Sequence, residues 1–411
     1  FTPTTAGVYT AVLSDGNNCS ITSSPITVNA TTSNVSTVTA CQAYLWPVNN
    51  QLYTQSGTYT FSSLNASGCT HTETLNLTIN NNCCNDTWRE VSNFGTVAAA
   101  IKYDGTLWHM TNTGSITQVG SSNDWLHVAR GNNHVLLIKT DGTLWSYGDN
   151  GYGQLGRSAA STAIPTQVGS LNNWTQIVAG QYTSLALNAD GEIYAWGYNS
   201  DGRLGLGFQS YGVSTPTHLG TQLWVSISGQ ISSYAGIQID GSLWNWGQNI
   251  SSNMGATAVI AAPIRVGFDN DWAQVSRGYS HALALKLDGT LWACGLNSSG
   301  QLGTGNNTSS IDFVQIGSAN NWNHIMAGSS TSFAINSNQE LFSWGINNQG
   351  QLGLGHTIDQ TSPVQIPSSV HWQKVYAVFN SILALDDHHS FYWWGQGNTS
   401  SPDVKYNSCG V

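Results

Sequence analysis

Several groups of residues in this 411-residue chain have types and spacings suited to chemistry. "GQLGTG" (Gly300–Gly305) and "GQLGLG" (Gly350–Gly355) look like glycine-rich loops that could cradle a phosphate. Such a loop needs Lys and Ser/Thr after its last Gly and must open a helix. Asn306 and His356 stand there instead, so the glycines are expected to serve turns at positive φ. Five carboxylates, at Asp104, Asp141, Asp190, Asp240 and Asp288, each precede a Gly. That pairing predicts hairpin turns rather than a catalytic acid pair. "DDHHS" (Asp386–Ser390) is the one dense titratable cluster; a metal there would need further ligands, and an exposed turn is expected. His134 and His281 share one repeat position with Val97, Thr183, Ser233, Thr331 and Ser381. These groups either form a polar ring or bond backbone between strands. No Gly-x-Ser-x-Gly elbow and no His-Glu-x-x-His pair occurs. The chain is therefore expected to be no enzyme and to carry no cofactor and no metal.

Composition narrows the class of partner. Lys and Arg number 11 against 21 Asp and Glu, a formal charge of −10, and only 8% of residues are charged. No basic stripe occurs, which argues against nucleic acid. No apolar run reaches the ~18 residues of a membrane span, so direct membrane insertion is not expected. The 44 glycines and the Thr, Val, Trp and Tyr content favour short strands and tight turns. The seven cysteines form no paired Cys-x-x-Cys array, and their placement suits disulfides in an oxidising compartment.

The elements that must position these residues are repeats of two kinds. "GVYTAVLSDGNNCS" (Gly7–Ser20) returns as "GTYTFSSLNASGCT" (Gly57–Thr70), and alternating apolar residues follow each copy. Residues 1–30 read as the second half of a small β module and residues 31–82 as a complete one. A Cys41–Cys69 bridge would close the complete module. The Gly-x-Tyr, Gly-Cys and Cys-x-x-x-x-Trp spacings resemble immunoglobulin-like modules of large secreted proteins of Bacteroidota. That resemblance implies β-sandwich spacers, and the half copy, whose Cys19 has its expected partner upstream of Phe1, leads us to expect a C-terminal piece of a longer chain.

From residue 83 to 411 the period changes. Trp88, Trp125, Trp174, Trp224, Trp272, Trp322 and Trp372 begin seven similar units, about fifty residues apart. Sixteen residues after each Trp comes Asp-Gly or a substitute, then an aromatic at +20 and usually another large side chain at +22. Gly-Gln-Leu-Gly or a variant follows, as in "DGTLWSYGDNGYGQLG" (Asp141–Gly156). Residues two apart share one face of a strand, so the +20 and +22 side chains are expected to fill seams between neighbouring sheets. Four strand-like runs per fifty residues are the mark of propeller blades. The pattern resembles the regulator of chromosome condensation repeat, which implies an all-β, seven-bladed β-propeller. Nuclear members of that family are exchange factors and bind chromatin, but this chain lacks a basic tail and that activity is not expected of it. Cys409 lies near one end of the repeats and Cys83 and Cys84 near the other; a bridge from Cys409 to either would clasp the ring.

Ligands are expected on loops that the repeat leaves free to vary. The first turns of the units present Asn133, Tyr182, Tyr279 and Phe379, and the loops after the glycine-rich turns present Tyr152 and Tyr211. Amphipathic aromatics beside Asn and Ser suit a protein or glycan ligand. The expectation is an adhesin-like binding protein, extracellular or on a bacterial cell surface, exported by type IX secretion. The alternatives are a secreted inhibitor of a hydrolase and a glycan- or peptide-active enzyme.

Overall fold

The computed structural model describes residues 7–14, 20–28, 32–41, 44–46, 48–49, 51–53, 55–64, 70–80, 88–247, 259–395 and 400–406. They fall into two compact units, Phe1–Asn85 and Asp86–Val411.

In the first unit, Thr70–Asn80 is the central strand of a three-stranded sheet. It pairs in parallel with Thr32–Cys41 and antiparallel with Gly57–Leu64. A hairpin joins Tyr44–Trp46 to Gln51–Tyr53. The alternation in "TLNLTIN" places Leu75, Leu77 and Ile79 on one face, where they bury Trp46. Short antiparallel pairs, Gly7–Tyr9 with Ile26–Val28 and Val12–Ser14 with Ser20–Thr22, precede this sheet. Cys69, Cys83, Cys84 and Cys409, and the side chain of Cys41, lie outside the described residues, as do both expected bridges.

The second unit contains no helix among its described residues. It repeats one four-stranded antiparallel sheet seven times, over residues 88–118, 125–167, 174–218, 224–265, 272–315, 322–365 and 372–406. These are called sheets one to seven. Each first strand opens on its repeat Trp and touches the first strand of the next sheet, and the first strand of sheet seven touches that of sheet one. The core is correspondingly divided into seams. Seven apolar clusters each draw on two neighbouring sheets, and one of them joins sheet one to sheet seven through Trp88, Val91, Leu383 and Trp393. Repeated four-stranded sheets packed in this way fit a propeller.

The two aromatic positions divide the labour. The +22 side chains Met110, Tyr147, Trp196, Trp246, Cys294, Trp344 and Trp394 are buried, each contributing ~1.5–3 kcal/mol where large and apolar. The +20 aromatics are half-buried in six of the seven sheets. They stand beside the Asp-Gly turn, where the indole N–H needs a partner, and Trp108, Trp145, Trp244 and Trp292 donate to the hydroxyl two residues before them. They meet the first-strand Trp edge-on, and in sheets one, two and five a Lys (Lys102, Lys139, Lys286) lies over both rings. So +22 fills the seam, while +20 clamps the outer turn.

Candidate functional site

The glycine-rich loops are joints between sheets. In sheet two, Gln154 Oε1 accepts from the Tyr152 N–H at 2.9 Å, which shapes the turn. The Gln154 carbonyl accepts from Trp196 Nε1 at 2.9 Å and Ser184 Oγ at 2.7 Å, both in sheet three. Gln301 repeats the arrangement with Trp344 and Ser332. A Cβ on Gly156, at φ 71°, would lie 2.9 Å from the Trp196 indole nitrogen, so only Gly fits. The Asp-Gly pairs are turns too: Asp141 Oδ1 accepts from the Thr143 N–H at 3.0 Å and its hydroxyl at 2.6 Å.

The two histidines at the shared position are likewise joints. His134 Nε2 meets Ser184 Oγ at 3.0 Å and His281 Nε2 meets Ser332 Oγ at 2.8 Å, each bridging to the next sheet. Burial holds His134 down at about 4 and His281 at about 3. The central space is lined by other residues. First strands enclose about 220 Å³ there, with Glu90, Asn93, Phe94, Arg130, Gln230 and Tyr376 among the walls. Gln230 reaches from sheet four to the Ala377 carbonyl of sheet seven at 2.7 Å.

"DDHHS" brings ligand atoms of Asp386, Asp387 and His388 within 4.8 Å of one another. Asp386 Oδ1 is taken up by the N–H groups of His388 and Ser390, and its Oδ2 accepts from the Tyr392 hydroxyl. Those bonds shape the turn that replaces Asp-Gly.

Three of the expected binding residues meet. Tyr152, on the glycine-rich turn of sheet two, has its ring 5.0 Å from Tyr182, on the first turn of sheet three, and 5.4 Å from Tyr211. Tyr198 closes the group at 4.9 Å from Tyr152. Tyr211 is 71% exposed and Phe208, nearby in sequence, 47%. The phenol of Tyr152 is raised, first by its neighbour Tyr211. Arg203 lies over the Tyr198 ring at 4.6 Å and is held by both oxygens of Asp201, at 2.5 and 2.8 Å. Tyr198, Asp201 and Arg203 were not singled out from sequence. The signal was available, because Arg203 breaks the repeat by standing where Gln154, Gln301 and Gln351 stand elsewhere.

The other expected residues lie at different junctions. Asn133 is exposed, and its carbonyl accepts from the Asp149 N–H at 2.8 Å. The Tyr279 N–H donates to the Gly328 carbonyl of sheet six at 3.3 Å. Phe379, at φ 55°, packs edge-on against Phe94 of sheet one at 5.3 Å. A further exposed patch, Phe268 with Ile264 and Ile311, lies between the outer strands of sheets four and five.

Comparison with known proteins agrees with this geometry. The regulator of chromosome condensation (RCC1) repeat matches residues 141–187, 190–228, 288–335 and 338–377. A second description of the same repeat matches residues 126–154, 174–203 and 272–301. No curated protein matches the chain. Among solved structures, human WBSCR16 superposes with a TM-score of 0.67 at 22% identity, over 74% of this chain and 88% of that one. Prp20p from Saccharomyces cerevisiae, described with its binding to Gsp1p and histones, gives 0.62 at 20% identity, over 69% and 77%. At these identities the likeness is one of fold. The chain therefore carries RCC1 repeats, and its second unit is an RCC1-type propeller.

Proposed function

We propose that the propeller, read as seven-bladed, is a protein-binding platform in an adhesin-like protein of the bacterial exterior, with the immunoglobulin-like modules at residues 1–30 and 31–82 as spacers. The observation that carries the reading is the tyrosine patch of Tyr152, Tyr182, Tyr198 and Tyr211. Rigid aromatics supply contact area at little cost in conformational entropy. The low charge and the absence of a basic stripe support a partner that is neither nucleic acid nor an anionic surface. A glycan ligand is the second reading, favoured by phenol rings beside the fixed Arg203–Asp201 pair. Inhibition of a hydrolase would use the same patch.

Arrays of extracellular proteins and of glycans, probed with this chain and with Tyr211→Ala and Tyr152→Ala variants, test the reading. Array binding is expected to fall at least tenfold, about 1.4 kcal/mol, for a residue at the centre of an interface. Stoichiometric inhibition of a hydrolase would favour the inhibitor. Turnover abolished by changing one carboxylate would overturn the non-enzymatic reading.

A further inference from the structure

Where sheets one and two meet, a cavity of about 230 Å³ is lined by His109, Arg130, Asn133, His134, Tyr147 and Ala163, with Val135 and Gly148. We propose that this cavity binds a carboxylate, with the Arg130 guanidinium as its ion-pair partner. The proposal is independent of the tyrosine patch and concerns a different junction.

Arg130 ends the first strand of sheet two, Trp125–Arg130, and is half-buried. Its Nε has no hydrogen-bond partner, and no carboxylate among the described residues pairs with it. A desolvated guanidinium without a counter-charge is costly, and a carboxylate matches its fork with two parallel hydrogen bonds. Three other cations do have such partners: Asp201 holds Arg203, Asp124 holds Lys139, and Asp269 and Asp271 hold Lys286.

The walls set the charge of the guest. No Asp or Glu among the described residues lines the cavity. Asp149 is near enough to act on His134, but its oxygens accept from the Gly151 N–H, Gln154 Nε2 and Ser161 Oγ of its own loop. His109 Nε2 and the Tyr147 hydroxyl are 2.5 Å apart, with the two rings stacked. Burial, with the charge of Arg130 second, holds His109 at about 4, and burial holds His134 at about 4. Both are neutral near pH 7, so the lining carries a single positive charge. That favours a monoanion over a phosphate dianion. A water takes ~30 Å³ of liquid volume, so the space admits a carboxylate with a short stem. The exposed residues Asn133 and Ala163 mark the open side.

The carboxylate could be free or belong to a polypeptide, and the test separates these sources. The full chain is titrated with sodium acetate against sodium chloride at constant ionic strength, followed by thermal unfolding and calorimetry. Saturable binding is expected, weakened at least tenfold in Arg130→Met and partly restored in Arg130→Lys. Ala163→Trp keeps the guanidinium but plugs the mouth, and is expected to abolish binding even if Arg130→Met does not fold. A peptide with a free C terminus that binds better than its amide assigns the site to chain ends. A peptide with an internal Glu that binds better than its Gln twin assigns it to acidic side chains, and peptides no tighter than acetate assign it to small carboxylates. A non-saturating response to acetate, acetate binding unchanged in both Arg130→Met and Ala163→Trp, or inorganic phosphate binding more tightly than acetate would overturn the proposal.

Discussion

Arg130 and Arg277 occupy the same place in sheets two and five. Each ends a first strand, and each stands four residues before a buried histidine, His134 or His281. Neither has a carboxylate partner among the described residues. Their surroundings differ at the +22 position, which is Tyr147 in sheet two and Cys294 in sheet five. Arg277 is 2% exposed, its guanidinium donates to the His281 carbonyl, and burial lowers it to about 10. Arg130 is half-buried and opens onto a cavity. The same repeat residues thus make a sealed joint in one sheet and an accessible one in the other. The difference teaches that a repeat position specifies a strand and a face, while its neighbours decide whether it can meet a ligand.

The largest effect expected from this pair is on acid stability. Both histidines have folded values held below the ordinary 6.5 by burial, so the unfolded chain binds more protons and stability falls as pH drops from about 6.5. The loss runs to about pH 4 for His134 and about pH 3 for His281. It amounts to about 3 kcal/mol for the first and about 5 kcal/mol for the second. Urea unfolding between pH 7 and 3 should show the fall, and His281→Gln should flatten it more than His134→Gln. The two variants should fall alike down to about pH 4 and part below it, so equal slopes between about pH 4 and pH 3 would break the distinction between the two joints.

Exchanging the +22 residues comes next. Tyr147→Cys removes a buried ring that bonds His109 and should cost about 3 kcal/mol or more, by the cavity logic of large-to-small core changes. Cys294→Tyr forces a ring into a filled seam and should cost about 1–3 kcal/mol. Denaturant midpoints at constant m-value measure both. A neutral Cys294→Tyr would mean that sheet five has room for the cavity that sheet two displays.

The smallest effect concerns the last turn. His389 sits at φ 61° where sheets two and five place Gly142 and Gly289 at 78° and 80°. A non-Gly residue in this region is strained, so His389→Gly should stabilise the chain by about 1 kcal/mol, read as a rise in Tm of a few degrees. A fall would show that the Tyr103 hydroxyl bonded to His389 outweighs the strain.

Much of the architecture was legible because its causes are local. Asp-Gly demands a turn through the positive φ of Gly, and Trp followed two residues later by Trp places large side chains on one face of a strand. The split between +20 and +22 was not legible, because both share that face and only the nearness of the outer turn separates them. The candidate patch was half legible. Tyr152, Tyr182 and Tyr211 stand out as aromatics on variable loops, whereas Tyr198 lies inside the strand Ile193–Asn199 and looks like filler. The cavity of Arg130 was hidden further. Asn133 was visible as a loop residue, but Arg130, His109 and Tyr147 come from different strands of two sheets.

The sequence by itself determined the repeat, the four strands within each unit, the turns between them and the absence of a basic face. All of these follow from composition and short-range spacing. Tertiary structure alone decided which half-buried groups meet. Four tyrosines spread over sixty residues of chain converge at one junction, and at another a guanidinium stands without a counter-ion among the described residues. The physical reason is that burial and partnership are properties of the seam between two sheets. Six seams are assembled from residues about fifty positions apart and the seventh from the two ends of the repeat, beyond the reach of any local pattern.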